Sequence, residues 1–197
     1  MSFKVKDHYF KKAKKEGFAA RSVYKLQEID EKFKVLKKGQ LILDCGYYPG
    51  SWMQYTSEKI GQTGKVVGID IQEVNEKMLM LGNVELFQKD LFNINSLEEI
   101  GIDRKFNVVL SDMAPKTTGN KLADQMGSLN LVEKLFTLLP GFLEKNGCTV
   151  MKIFESQDAQ EFLRDSRKLF KELKYYRPKS TRGTSKEYFA IGINYQG

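Results

Sequence analysis

Histidine and cysteine are nearly missing from this chain of 197 residues, which holds one His and two Cys. Cys45 and Cys148 lie far apart, and neither has a His or Cys at metal-ligand spacing. That argues against a zinc site or a disulfide framework and suits a reducing compartment. His8 stands in a charged N-terminal segment, so Ser-His-Asp and Cys-His nucleophilic machinery is disfavoured. Proline is scarce too, at four residues. No Pro/Gly-rich linker, internal repeat or low-complexity tract marks a second domain, and the length suits one α/β domain. No apolar run approaches the roughly 18–20 residues of a membrane span. Met1 to Lys15 lacks the apolar stretch of an export signal. These absences predict a monomeric intracellular protein with no metal, formed as one domain over 1–197. Cytoplasm, nucleus and organelle remain open.

Positive charge is what the chain has in quantity, with a net +7 that is unevenly spread. Residues 1–40 carry 12 Lys/Arg against 5 Asp/Glu, residues 41–150 carry 10 against 14, and residues 151–197 carry 10 against 6. An acidic middle between two basic ends is what a phosphate-binding surface built from both termini needs. Lys11, Lys12, Lys14, Lys15 and Arg21 near the start, with Arg177, Lys179 and Arg182 near the end, are the candidate RNA phosphate contacts. Solvated Lys-rich helices would give the same charge count.

Val23, Leu26, Ile29, Phe33 and Leu36 recur at three- and four-residue steps, predicting one amphipathic helix that ends before Gly39. With the preceding basic residues it makes a helical N-terminal extension over about 1–38. Short β-rich runs follow at Leu41–Leu43, Val66–Ile69, Val84–Phe87, Phe106–Leu110 and Cys148–Phe154, separated by helix-length segments such as Gly50–Ile60 and Gln125–Leu139. Gln157 to Phe170 reads as a further helix and Tyr188 to Asn194 as a late strand. Strand–helix alternation of this kind predicts an α/β fold: a doubly wound, mostly parallel, Rossmann-like sheet with helices on both faces.

Asp44, Asp70 and Asp112 close strand runs and Asp90 lies just beyond another, at the carboxyl side where ligands sit in open α/β sheets. A lone strand-end Asp is usually a cap or turn residue; four in consecutive units suggest a site. Asp44-Cys45-Gly46-Tyr47-Tyr48-Pro49-Gly50-Ser51-Trp52 follows the first strand and opens a helix, but Tyr48 stands where a dinucleotide fingerprint needs its second glycine. NAD is disfavoured. Asp70 follows Asp44 near the spacing at which an acid holds ribose hydroxyls, which implies a ligand with a ribose and no pyrophosphate. S-adenosylmethionine fits: Asp70 on its ribose, Asp90 on its adenine amino group, and the Gly46–Gly50 loop on its methionine tail.

Several segments resemble, in order and over nearly the whole chain, the RrmJ/FtsJ family of ribosomal RNA 2′-O-methyltransferases. They are Asp7-His8-Tyr9-Phe10-Lys11-Lys12-Ala13 with Gly17, Arg21-Ser22 and Tyr24-Lys25-Leu26; Pro49-Gly50-Ser51-Trp52 with Gln54; Ser111-Asp112-Met113-Ala114-Pro115; Val150-Met151-Lys152-Ile153-Phe154; and Ser185-Lys186-Glu187-Tyr188. The resemblance implies an S-adenosylmethionine-dependent methyltransferase fold and a catalytic tetrad at Lys25, Asp112, Lys152 and Glu187. It also implies cofactor contacts from Gly50, Trp52, Asp70, Asp90 and Asp112, with Asp44, Gly46 and Pro49 in the same loop. Its substrate would be RNA, a uridine of large-subunit ribosomal RNA or of a ribosomal particle. Two departures stand out. Tyr47-Tyr48 replaces the family's usual alanines, which bears on the methionine pocket, and Lys116 replaces a frequent Asn beside the target nucleotide.

Methyl transfer from a sulfonium needs an aligned oxygen and removal of its proton, with no metal. A lysine is ordinarily protonated at neutral pH, so Lys152 is base or positioner, with Asp112 orienting it and Lys25 with Glu187 placing the substrate. Lys152 sits in a run apolar enough for a central strand, where an unpaired Lys is costly, and a purely structural ion pair with Asp112 is the competing reading. The Asp-Met-Ala-Pro stretch lacks the consecutive prolines and aromatic of amino-directed methyltransferases, which favours an oxygen acceptor. A transfer-RNA ribose methyltransferase of the same family, and a non-catalytic RNA-binding ribosome assembly factor, are the alternatives.

Overall fold

A computed structural model describes residues 8–197. The first part of the expected extension, with Asp7, therefore lies outside the described residues. The sheet has seven strands in the order β3-β2-β1-β4-β5-β7-β6. Strands β1 (Leu41–Cys45), β2 (Lys65–Asp70), β3 (Val84–Gln88), β4 (Phe106–Ser111) and β5 (Leu143–Phe154) run parallel. Strand β7 (Glu187–Tyr195) lies antiparallel between β5 and the edge strand β6 (Phe170–Tyr176). Every residue of β1 is buried, as expected of a parallel strand covered on both faces.

Helices α1 (His8–Lys15), α2 (Val23–Phe33), α3 (Ser51–Ile60), α4 (Glu76–Leu79), α5 (Lys121–Phe142) and α6 (Gln157–Ser166) complete the layers. One face of the sheet packs Val109, Met151, Ile153 and Ala190 against α5 and α6. The other packs Val108, Val150, Phe189 and Ile191 against α2 and α3. Ala13, Val23, Leu26 and Ile29 belong to that second cluster, so α1 and α2 are part of the core and not an appended arm. Among the described residues no helix is long and apolar enough to cross a membrane.

Local chemistry sets the element ends. Helix α2 stops at Phe33, short of the expected Leu36, because Lys34 turns left-handed (φ 54°). The buried Asp30 carboxylate then accepts the Leu36 N–H at 2.9 Å and the Tyr55 hydroxyl at 2.9 Å. Leu36 stays in the core, but beyond the helix. Helix α5 begins before the expected Gln125, since the Asn120 side chain accepts from the Leu122 and Ala123 N–H groups, an N-cap of the usual kind. Phe170 opens β6 instead of ending a helix.

Candidate active site

The strand order reverses between β1 and β4, which opens a crevice at their carboxyl ends. A cleft of about 590 Å³ lies there, within the size usual for small-molecule sites. Of the residues expected to hold a cofactor, it brings together Gly46, Asp70, Asp90 and Asp112. Gly46 has φ 73°, and a Cβ on it would come within 2.3 Å of Met113 Cγ, so only glycine lets the loop pass under the cleft floor. The Asp70 carboxylate accepts the Gln72 N–H at 2.9 Å on Oδ1 and the Tyr48 N–H at 3.0 Å on Oδ2. It is thereby aimed with acceptor capacity to spare. Asp90 Oδ1 caps the short 3-10 turn Leu91–Asn93 through the Phe92 N–H at 2.9 Å.

Asp44, Pro49, Gly50 and Trp52 do not line the cleft; they stand behind it. Gly50, at φ 112°, is the N-cap of α3, and the Pro49 carbonyl accepts from Asn75 Nδ2 at 2.8 Å. Trp52 is buried, donates its indole N–H to the Ser22 carbonyl at 2.9 Å and packs against Phe189 with ring centroids 5.8 Å apart. Its place is that of a brace between α3 and α2.

Sequence reading passed over the side walls of the cleft. Ile71 and Phe92 line it while remaining well exposed, and Asn130 and Leu131 of α5 close the far side. A large apolar residue immediately after a strand-end Asp was the available signal for Ile71. Nothing local marks Asn130. Tyr47 and Tyr48, the family departures, divide their roles. Tyr47 is buried with its hydroxyl accepting the Asn75 N–H at 3.1 Å, while Tyr48 is half exposed at the cleft.

The floor is acidic. Asp44 is 1% exposed and neither carboxylate oxygen has a hydrogen-bond partner among the described residues. Burial, and then the charges of Asp112 and Asp70, push its carboxyl up to about 8. Raising a carboxyl in the folded state favours folding at acid pH, where Asp44 is protonated in both states. That contribution is lost as pH rises from the unfolded value near 4 through about 8. We expect Asp44→Asn to raise Tm at pH 8, on the order of a few degrees or more, and to change little at pH 4. Parallel profiles for the two proteins across that window, by calorimetry without ligand, would contradict the assignment.

The expected tetrad assembles at the rim as two ion pairs. Lys152 Nζ lies 3.0 Å from Asp112 Oδ1 and also donates to the Asp112 backbone carbonyl, with both side chains largely buried. Lys25, from α2, pairs with Glu187 at the start of β7, again nearly out of solvent. In the antiparallel register Lys152 opposes Phe189 and Phe154 opposes Glu187. Lys152 and Glu187 are therefore diagonal neighbours on one face, about 7–8 Å apart. Lys25 Nζ sits 5.8 Å from the Phe189 ring centroid.

The basic residues of the two termini also meet. Arg21 donates to the Ser180 carbonyl, and the Glu28 carboxylate accepts the Lys179 and Ser180 N–H groups at 2.6 and 2.8 Å. The loop after β6 is thus clamped to α2. Lys11, Lys12, Lys14, Lys15, Lys179 and Arg182 are exposed on this joined surface, although Lys12 also pairs with Glu16 at 3.9 Å. Arg177 is exposed but gives one guanidinium nitrogen to the Ser185 and Arg182 carbonyls, bracing the loop. The Arg21 guanidinium is lowered by burial and by Arg182, with Glu187 opposing, which sets it beside the tetrad.

Comparison with known proteins agrees with this geometry. Residues 18–195 match the family model described as FtsJ-like methyltransferase. A protein of Bdellovibrio bacteriovorus named ribosomal RNA large subunit methyltransferase E is 45% identical over 98% of this chain and 99% of its own. One of the same name from Oleidesulfovibrio alaskensis is 43% identical over 98% and 94%. A solved structure from Plasmodium falciparum, named as a ribosomal RNA methyltransferase, superposes with a TM-score of 0.77 at 28% identity and covers 91% of this chain and all of its own. Sheet order, cleft and matched segments lead to one conclusion: the chain belongs to the FtsJ-like methyltransferase family.

Proposed function

We propose that the protein transfers a methyl group from S-adenosylmethionine to a ribose 2′-hydroxyl of RNA, a uridine of large-subunit ribosomal RNA, acting as a monomer inside the cell. The observation that carries this reading is the pair of nearly dry Lys–carboxylate contacts at the rim of an acidic cleft. The cleft's residues suit that cofactor. Asp70 and Asp112 give negative charge to a cationic ligand; Asp70 offers acceptors to a ribose; Ile71 and Phe92 stand near Asp90 as walls for a planar base. When bound, the cofactor would supply an activated sulfonium methyl.

The protein's part is alignment and proton handling. Lys152 donates an N–H to the Asp112 backbone carbonyl and stands in ion-pair contact, at 3.0 Å, with its Oδ1. Those two contacts fix the direction of the Lys152 amine, which would align the acceptor hydroxyl and take part in removing its proton. Lys25 and Glu187, fixed against each other and the Phe189 ring, offer a donor and an acceptor to the ribose. Pre-set groups of this kind reduce the freedom lost when the acceptor oxygen is brought into line.

Incubation with labelled S-adenosylmethionine and ribosomal RNA, followed by ribose-methylation mapping, tests the reading; label on a base nitrogen or carbon would refute it. For the cofactor, Asp70→Ala is expected to weaken S-adenosylmethionine binding by about 1–3 kcal/mol, the scale of a lost charge-assisted hydrogen bond. Calorimetry showing unchanged affinity would remove Asp70 from the site.

A further inference from the structure

The carboxyl edge of the sheet carries a second hollow, on the opposite face from the tetrad. It encloses about 480 Å³ between Glu155 after β5, Tyr175 and Tyr176 at the end of β6, Tyr188 of β7, Gln160 of α6 and Arg177. Tyr188 opposes Ile153 and Tyr175 opposes Ala190, which places both rings on the α6 side. Their centroids are 5.9 Å apart in an edge-to-face arrangement. Tyr188 directly follows Glu187 on the strand, so this hollow and the tetrad are back to back across a single strand end.

Core packing accounts for these residues only in part: the Tyr188 ring packs against the core, but its hydroxyl and the Tyr175 ring are left over. Tyr175 is 52% exposed although it lies on an apolar sheet face. The Tyr188 hydroxyl is shut off from solvent with no hydrogen-bond partner among the described residues, a costly state for a buried polar group. Burial, with Tyr175 and Glu155 adding to it, pushes that phenol up to about 12. Arg177 is fixed at the rim by the Ser185 carbonyl at 2.6 Å, and the charge of Arg167 is felt at Tyr175. An exposed ring, an unsatisfied hydroxyl, a carboxylate and an amide beside Arg177 match a nucleotide: a face to stack, edge groups to bond, and a phosphate to neutralise.

We propose that this hollow is a stacking subsite for one unpaired nucleobase flanking the acceptor nucleotide, with Tyr175 as platform and Glu155 accepting from an exocyclic amino group. The proposal rests on the RNA reading above. A strand whose ribose lies against Lys152 and Glu187 reaches the hollow by passing over the end of β7. The basic loop carrying Arg177, Lys179 and Arg182 continues the same charged surface to its rim. An acceptor carboxylate favours bases that present an amino group, guanine, cytosine or adenine, over uracil.

Fluorescence anisotropy with single-stranded fragments of large-subunit ribosomal RNA, each carrying one abasic position, tests this. Tyr175→Ala is expected to lower RNA affinity about 5- to 150-fold, the range for loss of one stacked base. Its log–log salt slope should match the wild type, because no phosphate contact is removed. Tyr175→Phe, which keeps the ring, should bind like the wild type. One abasic position near the acceptor should reproduce the loss in the wild type and add nothing in Tyr175→Ala. Equal affinities of wild type and Tyr175→Ala, or a loss that no abasic position reproduces, would overturn the subsite while leaving the RNA reading intact. Absence of RNA binding by the wild type would overturn both.

Discussion

Lys152→Ala is expected to lower single-turnover methylation by roughly 10²–10⁴-fold, the usual contribution of a positioned acid–base group, while cofactor affinity stays within a few-fold of the wild type. The separation follows from geometry. Lys152 reaches Asp112 at the rim, whereas the cleft is lined by Gly46, Asp70, Asp90 and residues of α5. Removing one member of a nearly buried pair leaves the other uncompensated, so a stability control is needed. Lys152→Met keeps the length and packing without the amine and should lose the same turnover. If Lys152→Met folds like the wild type and retains full activity, the lysine is half of a structural ion pair and the tetrad mechanism fails.

Asp112→Ala should damage both properties. Its carboxylate lines the cleft and also holds Lys152, so cofactor affinity is expected to fall about 10-fold or more and single-turnover methylation by at least the Lys152→Ala loss. Asp112→Asn keeps the backbone carbonyl contact and the shape but not the charge, and should recover stability before activity. Calorimetry alongside single-turnover assays separates the effects. A variant that loses turnover with cofactor affinity unchanged would place Asp112 in the lysine's service alone.

Much of this architecture is legible in the sequence because parallel strands buried on both faces write themselves as short apolar runs, as in Leu41–Leu43 and Phe106–Leu110. Strand β6 was not, and the reason is its position. As an edge strand it exposes Lys171, Glu172 and Lys174 and buries Phe170 and Leu173, a three-residue spacing that imitates a helix, and charges of this kind are common protection for an edge. The end of α2 was hidden for another reason: Asp30, which reads as a surface helix residue, is buried and redirects the chain at Lys34.

The site shows the same division. Asp70, Asp90 and Asp112 could be placed from their positions at strand ends, and the tetrad from its motifs. The pairing of Lys152 with Asp112 and of Lys25 with Glu187 was legible as well, and the antiparallel insertion of β7 beside β5 is what brings Glu187 and Lys152 onto one face. The withdrawal of Trp52 from the cleft into packing with Phe189 was less plain, since an aromatic beside a glycine loop reads as ligand wall or as brace.

The most direct test of the account is transfer to paired RNA substrates that differ by one atom, the 2′-oxygen of the acceptor nucleotide. With the hydroxyl present, wild-type protein and S-adenosylmethionine should place one methyl group there. With 2′-deoxyribose at that nucleotide, the RNA should bind with similar affinity and accept no methyl. Methylation of the deoxy substrate would show that the acceptor is not the ribose oxygen, and the role given to Lys152 would fall with it.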